Sequence, residues 1–143
     1  MEKSNPGYVL NKKFMPDRDF DPATASYVDL VTYRKVGTGV HTPVWIAPYS
    51  DKHYVFSESK AGKVKRLKNN SAIEIALCDV RGKLLSDTWL SGEARIVTDP
   101  TLIAHVYTSF RQKYGLIMTA TNFLAKLSGR YDKRAMIEIT LTS

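Results

Sequence analysis

Apolar and polar residues alternate from Tyr27 to Tyr33, with Val28, Leu30 and Thr32 on one side and Tyr27, Asp29, Val31 and Tyr33 on the other. A period of two marks a β-strand. Gly37-Thr38-Gly39 supplies a turn, and Val40 to Pro48 reads as one returning strand, so the pair predicts a hairpin. After the polar turn Ser50-Asp51-Lys52, the aromatic and β-branched run Tyr54-Val55-Phe56-Ser57 predicts a third strand in meander order. Gly62 to Asn69 breaks the alternation. Its Lys, Arg and Leu residues favour a short basic helix that ends at Asn69-Asn70. Ile73–Asp79 and Thr88–Thr98 predict two more strands, joined by a turn around Arg81-Gly82-Lys83.

Asp99-Pro100 has the form of a helix start, with Asp at the N-cap and Pro at the first helical position. Leu102, Val106 and Phe110 follow at spacing four, so this helix lays one face on the strands. A further helical stretch runs from Leu116 to Leu127 and stops at Gly129, and Ala135 to Leu141 alternates again as a closing strand. Six strands and about three helices result. Consecutive short strands with hairpin turns predict a mainly β fold, an antiparallel barrel with peripheral helices. Residues 1–25 read as an N-terminal arm and residues 26–143 as the barrel domain.

Composition narrows the function classes. The chain has 143 residues, the size of one domain with its own core. No run approaches the roughly 18 apolar residues of a membrane span, and the polar start Met1–Gly7 lacks the pattern of a secretory signal. A cytoplasmic protein with no membrane partner is expected. Cys78 is the single cysteine and reads as a small buried hydrophobe. His41, His53 and His105 show no ligand spacing, so no metal site is predicted. The net charge of +7 attracts polyanions: nucleic acid, an anionic membrane or a phosphorylated small molecule.

The distribution of that charge points to one segment. Tyr54 to Leu67 places Ser57 and Ser59 at a strand end, Gly62 in the connection, and Lys63 and Arg66 in the first turns of the basic helix. Cations there oppose the helix dipole unless an anion sits among them. Ser57, Ser59, Lys63, Arg66 and free backbone N–H groups would converge on one phosphate. A solvated basic face explains the same pattern. There is no Walker or Gly-x-Gly-x-x-Gly fingerprint. In the preceding strand, Pro43 within His41-Thr42-Pro43-Val44-Trp45 cannot donate to a ladder, which places it at a sheet edge with backbone groups left over. A planar heterocycle matches such groups with its imide-like edge and lays its face on Trp45, for which core packing is the alternative.

Taken together, these segments resemble the flavin-binding split-barrel superfamily that includes pyridoxamine 5′-phosphate oxidase, and within it the branch described as probable deazaflavin (coenzyme F-420)-dependent oxidoreductases. The resemblance runs through Tyr27–Tyr33, Thr42–Trp45, Gly62–Asn70, Cys78-Asp79, Gly92–Arg95, Lys113–Gly115 and Lys133–Ile139, nearly everything after residue 25. It implies a six-stranded antiparallel split β-barrel. Lys63 matches the lysine that grips the flavin phosphate and Ser57 the hydroxyl beside it, while Thr42 or His41 stands near a phosphate-binding arginine. Ala61 departs from a serine of the oxidases, and their pyridoxal-binding residues have no counterpart.

The resemblance further implies a homodimer with the cofactor site at the subunit interface, where Asp87 and Trp89 are the candidates contributed by the second subunit. FMN is the expected cofactor and deazaflavin coenzyme F-420 the alternative. The expected activity is hydride transfer between the cofactor ring and a small organic substrate, with the reactive atom on the cofactor and no catalytic residue assigned on the chain. A carrier or sensor that binds the same cofactor without turnover is a second reading. A basic barrel that stacks single-stranded nucleic acid on Trp45, Tyr54 and Phe56 is a third.

Overall fold

The computed structural model describes residues 20–115 and 134–142. Among them the strands are β1 Tyr27–Tyr33, β2 Gly39–Val44, β3 Ala47–Tyr49, β4 Lys52–Glu58, β5 Ala72–Cys78, β6 Leu84–Val97 and β7 Arg134–Leu141. The helices are α1 Gly62–Asn69, between β4 and β5, and α2 Pro100–Tyr114, between β6 and β7. The helical stretch expected over residues 116–129 and most of the expected N-terminal arm lie outside the described residues.

All seven described strands join one antiparallel sheet in the order β2-β1-β5-β6-β7-β4-β3. β2 and β3 are consecutive in the chain, with only Trp45 and Ile46 between them, yet they form its two opposite edges. Two residues span at most about 7 Å, so the sheet must curl until its edges meet. The barrel is therefore split along one seam, at Trp45–Ile46.

That seam corrects the sequence reading. Val40–Pro48 is not one strand but two, which makes seven strands among the described residues instead of the six expected. The expected neighbours survive the division, since β1 pairs with β2 and β4 with β3, but β2 and β3 themselves lie at opposite edges of the sheet. The physical reason lies in α2. The Ile46 N–H donates to the Tyr114 hydroxyl (3.0 Å), and the Ile46 carbonyl accepts from Lys113 Nζ (2.5 Å). Side chains thus satisfy the backbone groups that a continuous ladder would have used. β6 also begins earlier than expected, at Leu84, opposite an irregularity in β5 between Ala76 and Cys78.

The pleat separates two cores. Val28, Leu30, Val55, Ile73, Ile75, Ile137 and Ile139 fill the barrel, and Val64 and Leu67 of α1 close it. Each such side chain contributes about 1.5–3 kcal/mol. On the outer face Tyr54, Val97 and Met136 pack under Val106, Tyr107 and Phe110 of α2. α2 begins as its sequence predicts: the Asp99 side chain accepts from the Thr101 N–H at 3.0 Å, worth about 1 kcal/mol, with Pro100 at the first position. Tyr49 pairs with Lys52 across Ser50 and Asp51, both at positive φ (50° and 69°), the geometry of a tight type I′ hairpin. No helix of the described residues is long and apolar enough to cross a membrane.

Candidate functional site

The start of α1 is built unlike an ordinary helix start. Ala61, at the N-cap, is extended and makes no side-chain cap, and the first turn holds no acidic residue. The Val64 N–H donates to the Ala61 carbonyl at 3.1 Å, but no cap side chain accepts from the Gly62 and Lys63 N–H groups before it. Lys63 stands in this turn, half-buried, its ammonium pushed below the usual lysine range by burial and then by the Arg66 charge, with Glu58 opposing. Arg66 folds back over the helix start: a Cβ on Gly62 would lie 2.8 Å from Arg66 Nη1. Its Nε donates to the buried Thr32 hydroxyl on β1 at 2.7 Å. Burial lowers the Arg66 pKa, and the nearby Arg34 charge adds to it.

Three cations thus crowd the positive end of a helix dipole, an arrangement that an anion stabilises. Ser57 sits opposite Ala135 near the end of β4, and Ser59 is exposed in the turn that leads to α1. Thr32 and Arg34 escaped the sequence reading. No linear spacing connects them to α1; only the packing of β1 beneath the helix does.

The β2 residues divide by the pleat. Val44 pairs with Val28 and is buried in the barrel core, and Thr42, opposite Leu30, shares its side of the strand. The β2 strand is an edge, as Pro43 requires, and Pro43 pairs with Asp29. On that outer face His41 Nδ1 lies 2.8 Å from Asp29 Oδ2, and the other carboxylate oxygen, Oδ1, is buried with no hydrogen-bond partner. The His41 ring stands edge-on to Trp89, with centroids 6.1 Å apart. The sequence reading assigned Trp89 to the second subunit; within one chain the fold already sets it beside His41. Asp87 is exposed two residues before it on the same strand face. The signal for Asp29 was its type, since aspartate is depleted within strands.

Trp45 goes elsewhere. It stacks on Tyr114 (4.3 Å, 8°) and meets Phe56 edge-on (6.4 Å), as part of the core under α2. Core packing accounts for this residue. The twelve sequence candidates therefore separate into a cationic helix start, a polar outer face at β2 and β6, and packing positions. Among the described residues no group of three or more His, Cys, Asp or Glu is placed to hold a metal ion.

No family model and no curated protein matches the sequence. Solved structures do match in fold. The heme storage protein HutZ from Vibrio cholerae superposes with a TM-score of 0.64 at 11% identity, over 85% of this chain and 85% of its own. A protein from Bacteroides thetaiotaomicron, provisionally named a 5-nitroimidazole antibiotic resistance protein, gives 0.62 at 11% identity over 85% and 75%. One from Listeria innocua, provisionally named a pyridoxamine 5′-phosphate oxidase, gives 0.58 at 9% identity over 85% and 88%. What these share with the chain is the fold, an antiparallel split β-barrel.

Proposed function

We propose that this chain binds a flavin-type cofactor through its phosphate at the start of α1 and passes a hydride between that cofactor and a small organic substrate. The observation that carries the reading is the uncapped first turn of α1, free of acidic residues, with Lys63 in it and Arg66 folded over Gly62. These groups fit a phosphate: the backbone N–H groups donate, Lys63 supplies a point charge, and Arg66, braced on Thr32, presents its remaining N–H edge. The half-burial of Lys63 favours an anionic neighbour, because a partly dehydrated ammonium gains more from a counter-charge than a solvated one.

When bound, the cofactor supplies the hydride-exchanging ring. The chain's own residues bind and orient it. Pro43 on the edge strand β2 leaves neighbouring backbone groups unpaired for a heterocycle edge, and His41, held by Asp29, offers Nε2 on the same face. FMN is the first assignment and deazaflavin coenzyme F-420 the alternative. The working unit is a homodimer with the cofactor site at the subunit interface, where Trp89 lines the site beside His41 of its own chain.

The test is the absorbance spectrum of the purified protein and the mass of any small molecule released on denaturation. A flavin or deazaflavin in stoichiometric amount is expected, with bleaching when a nicotinamide or chemical donor reduces it. A colourless protein that also takes up neither added cofactor would end the proposal. A bound cofactor that no donor reduces would leave a carrier.

A further inference from the structure

On the outer face of the sheet, away from α1, three residues stand in one cross-strand row: Tyr54 on β4 and Arg95 on β6 each face Glu138 on β7. The Glu138 side chain is only 7% exposed. Both of its oxygens are engaged, Oε1 by Arg95 Nε at 2.7 Å and Oε2 by the Tyr54 hydroxyl at 2.8 Å. These bonds, with the charges of Arg95 and Lys52, hold its carboxyl below the usual range against the opposing effect of burial.

Arg95 is treated differently. Only its Nε is tied down; no hydrogen bond to a described residue engages either Nη group, and its side chain is 64% exposed. As a stability device this is poor, because an exposed guanidinium returns little and a buried carboxylate is costly beside an apolar residue of its size. As an orienting device it is effective. A buried, doubly hydrogen-bonded carboxylate fixes the plane of the guanidinium and aims its free two-nitrogen edge outward.

Arg95 lines a groove of about 810 Å3, together with Lys52, Ser71, Glu93, Glu138 and Thr140 among others. The volume is that of a small-molecule site. It carries charges of both signs. Glu138 is already matched by Arg95 and Tyr54, so the charges that a ligand meets are the Arg95 edge, Lys52 and the exposed Glu93, which accepts from the Ser71 hydroxyl at 3.3 Å. Glu93 and Arg95 lie two residues apart on one face of β6, roughly 7 Å along the strand and within reach of each other's side chains. A dianion would meet Glu93; a zwitterion finds a partner for each end.

We propose that this groove binds a free α-amino acid, its carboxylate forked on the Nη edge of Arg95 and its ammonium beside Glu93. The site shares no lining residue with the cationic start of α1 and stands whether or not a flavin binds there.

The experiment is calorimetric titration of the full chain with the twenty free amino acids in turn, with the α-amide of any that binds, and with inorganic phosphate. At least one amino acid is expected to saturate, with its α-amide and phosphate at least about tenfold weaker. Arg95→Lys keeps a cation beside Glu138 but removes the fork. It should weaken binding about tenfold with the thermal midpoint retained, which separates recognition from folding. The proposal is overturned if no amino acid saturates, if the amide or phosphate binds as tightly as the acid, or if Arg95→Lys binds unchanged.

Discussion

Asp29 and His41 face one another across the β1–β2 pair, Oδ2 to Nδ1 at 2.8 Å, and among the described residues His41 is the sole hydrogen-bond partner of a carboxylate whose residue is only 4% exposed. A buried carboxylate with one partner depends heavily on that partner. His41→Ala should therefore lower unfolding stability by about 2–3 kcal/mol, more than an exposed histidine would otherwise cost. Asp29→Ala with His41→Ala should cost about 1 kcal/mol less than the sum of the singles. Urea denaturation of the four proteins measures the coupling, and strictly additive losses would refute it.

Lys63→Ala should release the cofactor while leaving the fold intact, because Val64 and Leu67, not Lys63, hold α1 to the barrel core. A drop of about tenfold or more in cofactor affinity is expected from the loss of one charged phosphate contact. Fluorescence titration with FMN checks this, and unchanged affinity would move the phosphate site elsewhere.

Gly92 is a steric requirement, not a turn residue. A Cβ built there would lie 2.4 Å from the backbone oxygen of Thr140 and 3.0 Å from Leu141 Cα, since β7 crosses β6 in close contact. Backbone cannot swing aside as a side chain can. Gly92→Ala should destabilise by about 1–3 kcal/mol or shift the end of β7, read as a lower thermal midpoint.

Burial pushes Lys113, at the seam, down to about 8. Between pH 8 and the ordinary lysine value near 10.5 the unfolded chain holds a proton that the folded chain has lost, so stability rises with pH across this window. The side chain is half-exposed, so the gain is about 1 kcal/mol after allowing for solvent screening. Cys78, pushed up to about 12 by burial, acts oppositely above pH 9, and Tyr114, pushed up to about 12 by burial, and Tyr33, pushed up to about 12 chiefly by its hydrogen bond to Glu74, do so above pH 10. Denaturation midpoints should rise from pH 7.5 to 9 and fall again by pH 11, and Lys113→Met should reduce the rise.

Local pattern determined most of the elements. The alternation of β1 and β7, the positive-φ turns at Gly37 and Gly82, the Asp99-Pro100 helix start and the basic helix at Gly62–Asn69 were all legible, because each depends on residues within a few positions of one another. Lys63 and Arg66 at one helix start were legible for the same reason. The structure alone decided the seam at Trp45–Ile46, the placement of Trp45 against Tyr114, the brace from Arg66 to Thr32 and the row Tyr54–Glu138–Arg95. Each of these joins residues 34 or more positions apart. Period two says which residues share a strand face but not which strand lies beside it, and only closure of the sheet, driven by burial of its apolar face, sets those partners.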